Sequence, residues 1–390
     1  MKILVVTQQL VPHVGGLSTH VETLVRGLSL QGHSVSLVHG GMAARSRVEK
    51  ALRLIASLGN RDRMTSGAFL SMLRSLRNHV SSCVASSRPD IIHCHDVYAS
   101  SAVISIATDN SIPILQTVHG PALYEAQMGG VDKQPCLREI IIQCERDAFQ
   151  GVGHYICVDS GQAQILKDDY YVPNDRISVI FNCIDVDEVR CLANGHLPVP
   201  VCRPFFLVPR RLVVKNGVRY AIEAMLHVHD PAIELIVAGN GPLRVELERF
   251  ASKLGLSDRI RFIGGIPRDQ LMPLIARAKG VIIPSVPTNG VIEATSLAVT
   301  ESMAIGTVPI ASRIGGLVEL IDNENTGLLI SPADPKELAR AMDSVISDDN
   351  YRKCLVKAAK AKAERDYSVH PWLTKIISIY NAMLRDEVAS

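Results

Sequence analysis

No apolar run in this 390-residue chain approaches the roughly 20 residues needed to span a bilayer. The first ten residues, MKILVVTQQL, carry one lysine and a very short apolar run. They predict a first strand, not a secretory signal. Charge of one sign is also lacking. Lys and Arg number 41 against 39 Asp and Glu, a net charge of +2, which is no footprint for nucleic acid. Nine cysteines are present, but none in a CxxC spacing, so neither a disulfide framework nor a structural zinc site is expected. GxGxxG is missing, which removes the dinucleotide fingerprint. No fixed-period repeat runs through the chain. The expectation is a soluble, cytoplasmic protein from a reducing compartment.

What is there in quantity is apolar, β-branched sequence. Hydrophobic residues make up 47%, ample for packed cores. The length predicts two domains. Short apolar runs alternate with helical patterns: KILVVTQ, SVSLVHG, DIIHCHD, PILQTVH, HYICVDS and ISVIFN in the first half, then FFLVPR, ELIVAGN, IRFIGG, GVIIPS and VPIAS. Their near-continuous apolar character predicts parallel strands covered on both faces. The fold class is therefore α/β, with two Rossmann-like domains facing across a cleft. Three prolines between residues 198 and 204 argue against helix or central strand there and mark a linker. The predicted domains are 1–195, 196–368 and a C-terminal helix, 369–390, packing back on the first domain.

The first helix reads in detail. Thr19 and Glu22 have capping-box spacing, Val21, Leu24, Val25 and Leu28 form an apolar stripe, and Gly32 stands past the end. The stretch 43–80 is basic, with Arg45, Arg47, Lys50, Arg53, Arg61, Arg63, Arg74 and Arg77 against Glu49 and Asp62. Two solvated helices account for it. A peripheral contact with the inner membrane face, or with an anionic acceptor, is the functional alternative.

Chemistry-bearing residues fall at strand ends. Gly15 and Gly16 lie between the first strand and the first helix, where backbone amides favour an anion. VPRRLVVKNGV (208–218) gathers Arg210, Arg211 and Lys215, suited to a diphosphate as fork and point charge. Glycines 239, 241, 264 and 265 end two further strands. GVIEATSLAVTES (290–302) sets Glu293 and Glu301 eight positions apart, about 12 Å if all helical. A carboxylate can accept two vicinal hydroxyls at once. Thr295 or Ser296 could cap that helix. His93 and His95 of HCHD share one strand face, but two ligands do not make a metal site. Asp185 and Asp187 of DVD could serve as a metal-binding carboxylate pair, but the triplet falls just before the linker.

In this order, GGLSTHV, TVHG, NCIDVDEV, RRLVVKNGV, GNGPLR, RFIGGIP and EATSLAVTESMAIGTVPIASRIGGLVELI resemble the family 4 retaining glycosyltransferases, with two Rossmann domains in the GT-B architecture. The Glu-x7-Glu segment is the most specific part. The resemblance implies donor-sugar contact by Glu293 and ribose contact by Glu301. It implies Arg211 and Lys215 on the diphosphate, and His119 near the transferred sugar. Gly16 would near the phosphate, while Ile263 and Gly264 would lie against the base. Gly15, Asn240, Thr295, Ser296 and Leu297 complete the implied substrate set. No cofactor and no metal are implied. The implied partners are a nucleotide-sugar donor, expected to be a UDP-sugar, and a small-molecule or lipid-linked saccharide acceptor. The chain departs from the family in having Ala294, Thr295 and Ser296 after the first glutamate, and Asn216 in the usual lysine place. A sugar phosphorylase, a nucleotide-sugar epimerase and a non-catalytic sensor are the rival readings.

Overall fold

The computed structural model describes residues 1–12, 16–42, 60–128, 130–288 and 295–389. The chain forms two compact units, residues 1–181 with 372–390, and residues 182–371.

The first unit is a six-stranded sheet of β1 (Lys2–Thr7), β2 (Ser34–His39), β3 (Ile91–Cys94), β4 (Ile114–Val118), β5 (His154–Cys157) and β6 (Ile177–Val179). Its order is β2-β1-β3-β4-β5-β6, and every pairing is parallel. Strand order reverses between β1 and β3, which makes the crevice at their carboxyl ends the natural ligand position. Leu4 and Val6 pack with Ile92 and Cys94 into one core. Ile3 and Val5, pointing the other way, are also buried. Burial on both faces explains the unbroken apolar runs.

The second unit is built alike from β7 (Phe205–Val208), β8 (Glu234–Ala238), β9 (Ile260–Gly264), β10 (Gly280–Ile283), β11 (Val308–Ser312) and β12 (Leu328–Ile330). Its order is β12-β11-β10-β7-β8-β9, all parallel. The switch point lies between β7 and β10. Eleven strands coincide with the expected apolar runs. β12 was not expected, because three residues carry no usable periodicity.

Two expectations need correction, the capping box and the domain boundaries. The helix Gly16–Leu30 begins ahead of Thr19, so Thr19 and Glu22 are not a capping box. Ser18 Oγ donates instead to Glu22 Oε1 at 2.7 Å, one turn along. The compact units divide after Phe181 and Pro371, not after residues 195 and 368. The helix Val186–Ala193 packs on the helices Arg268–Arg277 and Leu297–Ile305, and Arg190 Nε donates to the Ala304 carbonyl at 3.0 Å. The proline-rich segment is thus a loop inside the second unit. The basic stretch is described only from residue 60. There Met72, Leu76, Val80 and Val84 of the helix Arg61–Ser87 face the core, and Arg74 and Arg77 are exposed. Residues 43–59 lie outside the described residues.

The last helix, Val369–Ala389, belongs from Trp372 onward to the first unit. Trp372, Leu373, Ile376 and Tyr380 are buried. A Cβ on Gly27 would lie 2.5 Å from Leu373 Cδ1, so glycine lets this helix approach the first one. Among the described residues, no helix is long and apolar enough to cross a membrane.

Candidate active site

At the carboxyl edge of the second sheet, the loop after β7 turns through the short helix Val214–Asn216. Arg210 reaches inward. Its Nη2 donates to Asn216 Oδ1 at 2.6 Å and to Ser285 Oγ at 3.2 Å, and its Nη1 to Ser296 Oγ at 3.4 Å. Ser285 follows β10, so this guanidinium bridges the two switch-point strands. Asn216 is buried and donates through Nδ2 to the Arg211 carbonyl at 2.7 Å. Arg211 is exposed and Lys215 half-buried. The arginine touching Ser296 is Arg210, whereas the resemblance singled out Arg211 with Lys215. Side chains of successive extended residues point to opposite sides, and that alternation was the available signal.

Ser296 stands at the N-cap of the helix Leu297–Ile305 but makes no side-chain capping bond. Thr295 Oγ1 accepts from Asn182 Nδ2 at 2.9 Å instead. Among the described residues, the N-terminal amides of this helix thus have no side-chain cap from Ser296, and a cation lies beside them, which is a combination suited to anions. The supposition that all eight residues from Glu293 to Glu301 are helical fails, since the helix starts at Leu297.

Glu301 lies on the second turn and is buried. Arg268 Nε donates to its Oε1 at 2.9 Å, and Arg268 Nη1 lies 3.2 Å from Glu188 Oε2. Burial pushes the Glu301 carboxyl above its usual range, with Arg268 pulling against that. Burial alone would lower Arg268, but its two carboxylate neighbours hold it above the ordinary value. The carboxylate side chain is 7% exposed and the guanidinium 28%, so Glu301 bears the larger desolvation cost. Sequence reasoning missed Arg268 and Glu188. A signal existed, because a cation on the first turn of a helix opposes the dipole and calls for a carboxylate.

On the next strands, Val237 pairs with Phe262 and Ala238 with Gly264, which leaves Ile263 as the extra residue of a bulge. Bulges re-aim side chains at sheet ends. Gly264 has φ +79°, a conformation open to glycine. Asn240 is exposed and accepts from Arg244 Nη1 at 3.2 Å.

In the first unit, Asp96 joins the switch-point strands. It accepts from Thr7 Oγ1 at 2.8 Å, Gln8 N at 2.7 Å and Ala99 N at 2.8 Å. His93 is bonded to Tyr380 Oη and Thr117 Oγ1, each at 2.7 Å. His95 stacks beside it, with centroids 4.3 Å apart. His119 follows β4 and packs edge-on to His20 at 4.7 Å. Burial holds the His93, His95 and His119 imidazoles well below the usual range, hence neutral. Asp185 of DVD caps the helix Val186–Ala193, accepting from Glu188 N at 2.9 Å, which gives it a structural task. Gly16 opens the first helix and is exposed. Gly15, Glu293 and Ala294 lie outside the described residues.

Two family models match the chain in tandem. "Glycosyltransferase Family 4" covers residues 14–188, and "Glycosyl transferases group 1" covers residues 196–362. The chain belongs to the family 4 glycosyltransferases. An uncharacterized glycosyltransferase of Methanocaldococcus jannaschii is 26% identical over 97% of this chain and 98% of its own. A glycogen synthase of Mycobacterium tuberculosis is 27% identical over 99% and 96%. Among solved structures, Anabaena HepE in complex with UDP-glucose superposes with a TM-score of 0.71 at 19% identity, covering 98% of this chain and 100% of that one. This glycosyltransferase therefore has the GT-B fold, with a parallel Rossmann-like sheet in each unit.

Proposed function

We propose that this glycosyltransferase moves a hexose or N-acetylhexosamine from a UDP-sugar to an acceptor hydroxyl, with retention at the anomeric carbon and without a metal ion. The carrying observation is the assembly of Arg210, Asn216, Ser285 and Ser296 at the switch point of the second sheet, beside an uncapped helix N-terminus. A nucleoside diphosphate leaving group develops negative charge, and preorganised cations and amides oppose that charge without reorganising. Arg210 joins Arg211 and Lys215 as the cationic set. Its guanidinium compensates for asparagine at 216, where the family more often has lysine.

In this reading Glu301, oriented by Arg268, accepts the ribose hydroxyls. Glu293 accepts hydroxyls of the donor sugar. The bulge at Ile263 and Gly264 offers backbone groups to the base, and the amides near Gly15 and Gly16 approach the phosphate. Thr295, Leu297 and Asn240 line the same edge. His119, neutral and with its buried Nε2 lacking a hydrogen-bond partner among the described residues, suits a sugar hydroxyl. The UDP choice is supported by the UDP-glucose bound to HepE, a protein of like fold. The acceptor is assigned to the first unit, residues 1–181 with the C-terminal helix.

The deciding assay follows transfer from labelled UDP-hexoses in excess chelator, with the anomeric configuration read from proton coupling. An α-product from an α-donor is expected. A β-product would overturn retention, and activity that appears only with added manganese would overturn metal independence.

A further inference from the structure

Three histidines of the first unit come together from separate elements: His20 from the helix Gly16–Leu30, His95 just past β3 and His119 just past β4. One ring nitrogen of each lies within 4.8 Å of the others. Ring centroids are 5.1 Å apart for His20 and His95, 4.7 Å for His20 and His119, and 6.0 Å for His95 and His119. His95 is only 1% exposed, and among the described residues both its buried ring nitrogens lack a hydrogen-bond partner, as does the buried Nε2 of His119. Buried polar groups of native proteins are ordinarily satisfied, and the exceptions call for an explanation such as an ion. His93 makes the contrast. It sits on the same strand end and equally deep, yet both its nitrogens are bonded.

We propose that His20, His95 and His119 bind a single transition-metal ion of the zinc class. Three imidazoles and no carboxylate select zinc, cobalt(II), nickel or copper(II) over magnesium, calcium or manganese. Zinc–nitrogen bonds of about 2.0–2.1 Å put tetrahedral ligand atoms about 3.4 Å apart, so the three rings must draw together by roughly 1 Å. Side-chain rotation of that size leaves the backbone in place. The fourth position remains open to water. Under the proposed function His119 faces the donor sugar, so an ion here opposes transfer instead of assisting it. The binding claim itself does not depend on that function.

The test uses the full chain, stripped with chelator and titrated with cobalt(II), then zinc. One equivalent of cobalt should give tetrahedral visible bands without thiolate charge transfer, and zinc should displace it and raise the melting temperature. His20→Asn and His119→Asn should each weaken binding by at least the roughly 100-fold that even an outer-shell loss can cost, with circular dichroism reporting the fold. His79→Asn, on the exposed face of the helix Arg61–Ser87, should change nothing. X-ray absorption at the zinc edge of the unmutated protein should count three imidazoles, a readout that needs no variant. Absence of stoichiometric binding, a thiolate spectrum, fewer than three imidazoles, or unchanged affinity in both site variants would each overturn the proposal.

Discussion

A single guanidinium organises the edge of the second sheet. Arg210 spans Asn216, Ser285 and Ser296, a geometry that a lysine point charge cannot copy. Arg210→Lys should lower kcat/KM for the nucleotide sugar about tenfold, which corresponds to about 1.4 kcal/mol, with the melting temperature little changed. An unaltered kcat/KM would remove Arg210 from the donor site. Glu293→Ala should cost turnover about 100-fold, the scale of a misplaced reacting group; near-full transfer in steady-state assays would sink the sugar-contact assignment. Glu301 carries a pH signature. Burial raises its folded-state pKa above the usual carboxylate value. Stability from such a group is full below the unfolded pKa and is lost as pH rises through the folded one. Glu301→Gln removes that loss, so the variant should gain on the unmutated protein in thermal melts from mildly acidic to neutral pH. A constant difference across that range would contradict the direction.

At the scale of elements, the loop after β7 is held by close backbone approach. Gly217 has φ +61°, and a Cβ there would lie 1.8 Å from the Pro284 carbonyl oxygen. Gly217→Ala should therefore cost at least about 2 kcal/mol and also displace Asn216, its neighbour. The expected result is a lower melting temperature together with weaker nucleotide-sugar binding, measured by calorimetry on the folded variant. Retained stability would mean that the loop relaxes around the new methyl. The helix Leu297–Ile305 is short and mostly buried, with Val299, Met303 and Ala304 buried alongside Glu301. A buried helix of this kind carries a carboxylate only where a partner meets it, and Arg268 from the neighbouring helix is that partner.

At the scale of the whole molecule, the chain closes its first unit with its own last helix, since residues 372–390 return to residues 1–181. Ligand binding should be visible globally, because anything that binds only the folded state raises its melting temperature, by about 2.7 kcal/mol of stability at a hundredfold excess over Kd. A screen of UDP-, GDP- and ADP-sugars in chelator should show selective stabilisation by a UDP-sugar. Equal shifts with all three bases would remove the UDP preference, and no shift would return weight to a phosphorylase.

The sequence alone determined the two α/β units, eleven of the twelve strands among the described residues and the family, because parallel strands buried on both faces write themselves as local apolar runs and because strand ends carry their motifs contiguously. Only the tertiary structure decided the rest. It separated Arg210 from Arg211, since which of two adjacent side chains turns inward depends on the loop that follows. It brought Arg268 to Glu301 from 33 residues away along the chain and joined Glu188, on a third helix, to that same Arg268. It moved the unit boundary away from the prolines, because packing of the helix Val186–Ala193 outweighs local chain composition. It also paired His95 with His20 and His119 instead of leaving it with His93 alone, a grouping that exists only where three distant segments meet.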